Sequence, residues 1–296
     1  MTDTPIIDAH HHIWRVDKTP WLEGEVVPRI FGDYTDIKRD YPIAEYASDV
    51  RQHGVVKSVY VQVNVAPKDA LWEARWALDE GSKAGLCNAV IAWADFSDQG
   101  IYYSLEAYKE MASVRGIRQQ LHWHENPLYR FAPRPDLMAD ADWRRGFAHL
   151  GNFDMHFELQ VFPGQYSHAL DLVDAFPNQR FVLLHGGMPD DTSAEGLRNW
   201  QAGIAEFAKR DNVYTKVSGF GTFTRSCAVE LKRPLIERTV DTFGPDRCMF
   251  GSNFPIEKLW TDYGHLLSTV TACLDGYTPE ERQAVMHDTA ASVYRI

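Results

Sequence analysis

Residues 6–12 read Ile6-Ile7-Asp8-Ala9-His10-His11-His12, a short β-branched run that ends in a His-x-His pair. Successive side chains of a strand alternate faces, which sets Asp8, His10 and His12 on one side and Ile7, Ala9 and His11 on the other. Two imidazoles two residues apart at the end of a buried strand can grip one divalent cation. A tag or a solvated turn suits the stretch less well, because the histidines follow a strand-like run and Ile13-Trp14 continues it. A single pair needs partners from elsewhere in the chain.

Strand-like apolar segments recur at about 57–64, 88–95, 116–122, 153–161, 180–185, 213–218 and 248–253, after a first at about 5–12. Between them Ile43, Tyr46, Ala47 and Val50 fall at helical spacing, as do Leu71, Ala74 and Leu78, and Leu170, Val173 and Phe176. Eight strands alternating with helices predict an α/β fold, a closed parallel (β/α)8 TIM barrel, as a single domain over 1–296. No Gly/Ser linker divides the chain. An open doubly wound sheet is the second reading, weakened because no Gly-x-Gly-x-x-Gly turn follows an early strand.

The chain has 296 residues, of which 45% are hydrophobic and 12% aromatic, enough for a large core. Its net charge of −11 argues against nucleic acid or an anionic membrane as partner. Cys87, Cys227, Cys248 and Cys273 show no Cys-x-x-Cys spacing, so neither a disulfide framework nor a zinc knuckle is indicated. With no basic-then-apolar start and no apolar run of transmembrane length, the expectation is a cytoplasmic protein. The oligomeric state stays open, a homo-oligomer included.

In a (β/α)8 barrel, chemistry sits at the C-terminal ends of the strands. Polar residues gather there: His10 and His12, then Gln62 and Asn64, then Trp93 and Asp95. The fourth strand would carry Arg118, Gln120, His122 and His124 on one face, and the fifth His156, Glu158 and Gln160. The sixth is apolar until His185, the seventh carries Lys216 and Ser218, and the eighth runs Gly251-Ser252-Asn253-Phe254-Pro255. His185 either caps a loop or joins His10 and His12. A buried Arg118 needs an anion, from Asp8, Glu158 or Asp95, or from a substrate carboxylate. Glu158 is either half of a core ion pair or a base. Of His122, His124 and His156, at least one should line the pocket as a hydrogen-bonding or acid/base group. Two long segments, 13–41 with Trp14, Trp21, Phe31 and Tyr34, and 123–141 with Arg130, follow strands and should act as binding loops. Their content suits an anionic, partly apolar substrate, with Trp14 against it and Arg130 on a carboxylate.

The Asp8-Ala9-His10-His11-His12-Ile13-Trp14 opening, Gly116-Ile117-Arg118, His185 and Gly251-Ser252-Asn253-Phe254-Pro255 together resemble the amidohydrolase superfamily, in its amidohydrolase-related branch. That branch includes lactonases for sugar lactones and muconolactones, a pyrone-dicarboxylate hydrolase and, more distantly, non-oxidative decarboxylases. The resemblance implies a distorted barrel whose mouth holds one metal ion or none. Two departures stand out. Asn253 occupies the place of the superfamily's metal-binding, proton-accepting Asp, and as a neutral amide it cannot act as a base. Nothing on Arg118-Gln119-Gln120 can bridge two metals.

The expectation is therefore a hydrolase of a small cyclic ester or related carbonyl compound. His10, His12 and His185 would hold one divalent ion, zinc foremost, or polarise the carbonyl directly without metal. Arg118, Gln120, Arg130 and Trp14 would bind the substrate. His122, His124 or Glu158 would supply the base, and Asn253 would orient the water. A decarboxylase or hydratase is the alternative enzyme, and a binding protein that has lost catalysis is a third reading.

Overall fold

The structure is a computed structural model that describes residues 5–296, so residues 1–4 of the expected domain lie outside the described part. Its eight strands are β1 (Ile6–His11), β2 (Val55–Val61), β3 (Ala89–Ala92), β4 (Val114–Ile117), β5 (His156–Leu159), β6 (Phe181–Leu183), β7 (Val213–Val217) and β8 (Cys248–Phe250). All neighbours pair in parallel and in chain order. Outer helices follow in turn, from Ile43–Val50 after β1 to Tyr263–Cys273 after β8. The first and last strands meet just beyond their ends, where His11 pairs with Phe254 and the Asn253 amide donates to the His10 carbonyl at 2.7 Å. Gly251 permits that approach, since a Cβ there would stand 2.7 Å from the Cβ of His10. The result is a nearly closed (β/α)8 TIM barrel.

The eight strands fall where the apolar segments predicted them, but β1 departs from simple alternation. Asp8 pairs with Ser58 and His11 with Tyr60, so three steps along β1 match two along β2. The extra residue is a β-bulge, which turns later side chains to the other face. The Asp8 side chain consequently does not share a face with those of His10 and His12, although its carboxylate accepts from the His10 backbone amide at 3.1 Å. Its carboxylate accepts from Tyr46 Oη at 2.8 Å, from the Ser252 amide at 2.8 Å and from Tyr263 Oη at 3.3 Å. Ile7 and Ala9 pack instead with Val59, Val61, Met249 and Ala290. His11 stacks on Tyr46 with ring centres 3.8 Å apart.

Strand β4 ends at Ile117, five residues short of the predicted end. Beyond it the Gln165 side chain replaces the ladder, accepting from the Trp123 amide and donating to the Leu121 carbonyl, each at 2.8 Å. The two long segments are ordered rather than structureless. Residues 13–41 contain the short helix Pro20–Glu23 and bury Trp14 and Tyr34 completely. A last helix, Thr289–Tyr294, packs under the barrel's N-terminal end and sends Tyr294 Oη 2.9 Å from Glu158 Oε1. Among the described residues no helix is long and apolar enough to cross a membrane, and the four cysteines are free and buried.

Candidate active site

A cavity of about 110 Å³ opens at the C-terminal ends of the strands, small enough to suit a compact ligand. Its lining brings together His12, Trp14, Arg118, Gln120, His122, Arg130, His185 and Asn253. His10 lies directly against it, with ring centres 5.0 Å from His12 and 4.8 Å from His185. Two of the sequence-predicted residues are elsewhere. His124 lines a neighbouring cleft, with Nε2 3.2 Å from Asp190 and Nδ1 accepting from the Asn126 amide at 2.9 Å. The alternation of β4 therefore persists through His122 and breaks at His124, where the chain turns onto itself. Glu158 is fully buried inside the barrel, 2.7 Å from Lys216 Nζ.

Lys216 is the functional candidate that sequence reasoning left without a role. Its ammonium lies 2.7 Å from Glu158 and 3.3 Å from His10 Nδ1. Burial pushes Glu158 up, but the Lys216 ammonium and His156 outweigh it and hold the carboxyl at about 2. Burial lowers Lys216 to about 8 against the pull of Glu158, so both groups are charged at neutral pH. An ammonium can only donate, so His10 Nδ1 accepts and the ring proton resides on Nε2. That Nε2 is buried and has no partner among the described residues. His12 has the opposite tautomer: its Nδ1 is 2.7 Å from the Val61 carbonyl, which only accepts, leaving the lone pair on Nε2, with the Asn253 side chain as a hydrogen-bonding neighbour of the ring. His185, held in a left-handed backbone conformation at φ 54°, places Nδ1 2.8 Å from Ser218 Oγ.

Burial, with the nearby Arg118, lowers His12 to about 3 and leaves it neutral at pH 7. His10 and His185 are lowered by burial first and then by the surrounding cations. Among the described residues Arg118 has no carboxylate partner of its own. It donates to the Gln62 carbonyl and, at 3.4 Å, to Gln160 Oε1, and its buried Nε is unpaired. Burial lowers it to about 10, so it remains charged. Arg130 is more occupied, donating to the His124 and Glu125 carbonyls at 3.1 Å each and lying over Trp123. Arg29, from the 13–41 segment, lines the cavity with no signal in its local sequence that could have found it.

The donor set does not fit a resident metal ion as it stands. Among the described residues no group of three or more His, Cys, Asp or Glu side chains is arranged to hold one. The tautomer that Lys216 imposes on His10 also leaves an N–H, not a lone pair, on the unpartnered Nε2 of a ring that lies beside His12 and His185. What the arrangement offers is a neutral donor, a neutral acceptor and a buried guanidinium around one small space.

Known proteins give this geometry its context. An uncharacterized protein of Sinorhizobium fredii, y4mH, is 32% identical over the whole of both chains. An L-fucono-1,5-lactonase of Burkholderia ambifaria is 27% identical, covering 98% of this chain and 95% of its own. The crystal structure of a zinc-bound amidohydrolase from Burkholderia multivorans superposes with a TM-score of 0.81 at 25% identity, covering 99% of each chain. Residues 7–296 match the amidohydrolase family from the second residue of β1 to the last of the chain. With barrel, cavity and full-length match in agreement, this hydrolase belongs to the amidohydrolase family.

Proposed function

We propose that the protein hydrolyses a small lactone, with water attacking a carbonyl held among neutral imidazoles. The observation that carries this reading is a pair of ring contacts, His10 Nδ1 to Lys216 Nζ at 3.3 Å and His12 Nδ1 to the Val61 carbonyl at 2.7 Å, which assign a proton to His10 Nε2 and a lone pair to His12 Nε2. The His10 N–H would donate to the carbonyl oxygen as it becomes an oxyanion. His12 Nε2 would take a proton from the attacking water, and Asn253 would orient that water. As the ring C–O bond breaks, His12 returns the proton to the ring oxygen, and the new carboxylic acid releases its own proton to solvent. Arg118 would bind a carboxylate of the substrate, with Gln120 and His122 hydrogen-bonding beside it and Trp14 backing His12. Trp14 stands 6.5 Å from the His12 ring, near-parallel at 25°. Glu158 acts at one remove, through Lys216. No step passes through a metal.

A panel of neutral and carboxylated lactones tests the reading. Hydroxy acid and one proton per turnover, with no carbon dioxide, are expected. Carbon dioxide as product would overturn it in favour of a lyase.

Asn253→Asp is expected to give no gain in activity at pH 7. A carboxylate beside His12 favours the protonated imidazole, raising the pH at which it charges by about 1–3. The acid limb of the activity profile should therefore move up. Wild-type protein should carry at most one equivalent of metal and keep its activity after chelation. A joint rise of lactonase activity and bound metal in Asn253→Asp would mark Asn253 as a lost ligand and base.

A further inference from the structure

The cavity changes character between its floor and its mouth. The floor is polar and buried, with His12, Arg118 and His185 each no more than 8% exposed. The mouth is apolar, formed by Trp21, Phe31, Leu128, Tyr129, Phe131 and Phe223, which line the same cavity. Among the described residues seven large hydrophobic side chains are exposed, and two of them, Leu128 at 45% and Phe131 at 41%, sit on this rim. Single apolar residues scattered over a surface need no explanation, but an apolar rim gathered around a polar site marks a place for a ligand.

The rim is held in this shape by its backbone. The amides of Phe131 and Ala132 both donate to the His122 carbonyl at 3.0 Å, which closes the loop between them. Inside that loop Asn126 Oδ1 accepts from the Leu128 amide at 3.1 Å, and Arg130 donates to the His124 and Glu125 carbonyls. Tyr129 reaches across to Phe223 on the segment after β7, with ring centres 5.7 Å apart, and Phe31 packs on Trp21 at 6.2 Å. Such spacings belong to tilted and edge-to-face pairs, which leave ring surface free for a further partner. Leu128 and Phe131 are therefore exposed in a tied loop, not a loose one. An apolar group that covers them gains the burial without having to order the loop first.

We propose that this rim is a subsite for an aryl group, and that the substrate is a lactone with a phenyl-sized substituent on its ring. The carbonyl would lie on the floor among the histidines and the aryl group at the mouth. The occupant is part of the substrate because rim and histidines line one continuous cavity. A hydroxylated substituent suits the place poorly, since a hydroxyl pressed against Leu128 or Phe131 loses its water and gains no hydrogen bond. This rests on the lactonase reading for the reaction, though not for binding. It separates the chain from the relatives named for L-fucono-1,5-lactone, a sugar lactone.

The matched pair 5-oxo-2-phenyltetrahydrofuran-3-carboxylate and 5-oxotetrahydrofuran-3-carboxylate, which differ only in the phenyl group, tests it. Wild-type kcat/KM should favour the phenyl lactone by about 10- to 100-fold, the scale of burying a phenyl side chain. In the double variant Leu128→Ser/Phe131→Ser, at two exposed positions, that preference should fall toward one, through KM rather than kcat. Leu128→Met/Phe131→Leu, which keeps the rim apolar, should retain most of it. A preference that survives the serines, or is absent from wild type, would overturn the subsite. Calorimetric titration with 2-phenyltetrahydrofuran-3-carboxylate and tetrahydrofuran-3-carboxylate, which are not lactones, reads the rim without turnover. Tighter binding of the phenyl acid with a more negative heat-capacity change, both lost in the serine variant, supports the subsite even if no lactone is cleaved. A wild-type protein that binds the two acids equally refutes it even if lactones are cleaved.

Discussion

Lys216→Met is expected to destabilise the protein by about 3–5 kcal/mol, the usual result of leaving one half of a buried ion pair alone. Glu158 would keep only the Tyr294 hydroxyl, at 2.9 Å, and His156, with Nε2 3.7 Å away. The double variant Lys216→Met/Glu158→Gln removes both charges and should recover most of that stability, because a neutral amide and a thioether can share the space. Lactonase activity should not recover with it. Without the ammonium, nothing holds His10 in the tautomer that keeps its N–H on Nε2. Urea denaturation and kcat on the same proteins separate the two effects; a double variant that regains both would show that Lys216 only stabilises the barrel.

The same pair gives the fold an acid limit. Glu158 sits at about 2 in the folded protein against an ordinary 4.5, so the folded state binds its proton less readily than the unfolded state. Its contribution is therefore present above pH 4.5 and is lost as pH falls from there toward 2. In Glu158→Gln that part of the acid dependence should disappear.

His12→Asn is expected to lower kcat by about 10²–10⁴, the range that general acid–base catalysis contributes, with little change in KM. The asparagine amide nitrogen takes the place of Nδ1 and can still donate to the Val61 carbonyl, so the loop between β1 and the rest of the site should stay in place. What is lost is a nitrogen able to take a proton. Since burial, with Arg118, lowers His12 to about 3, wild-type activity should show no histidine-like transition between pH 5 and 8. A wild-type kcat that falls steeply below about pH 6.5, the ordinary range of histidine, would place the base on a more exposed imidazole.

Much of this protein is legible in its sequence because the relevant physics is local. Apolar runs of strand length alternating with helical spacing, as in Ile43, Tyr46 and Val50, require only the periods of two backbone conformations, and they locate all eight strands. The rule that strand ends form the active face then gathers His12, Arg118, His122, His185 and Asn253 around one cavity. Pairing across strands is where local reading stops. The bulge that puts the side chains of Asp8 and His10 on different faces exists only because β1 is matched against β2. The tautomer of His10 depends on Lys216, 206 residues further along the chain. The same holds for charge. Sequence identifies Arg29, Arg118 and Arg130 as cations, but which of them remain unpaired is decided by the carbonyls, rings and carboxylates that the fold places within reach. Strand order and the strand-end residues followed from local pattern; the donor, the acceptor and the free guanidinium groups were set by tertiary contacts, because hydrogen bonding and desolvation depend on neighbours in space.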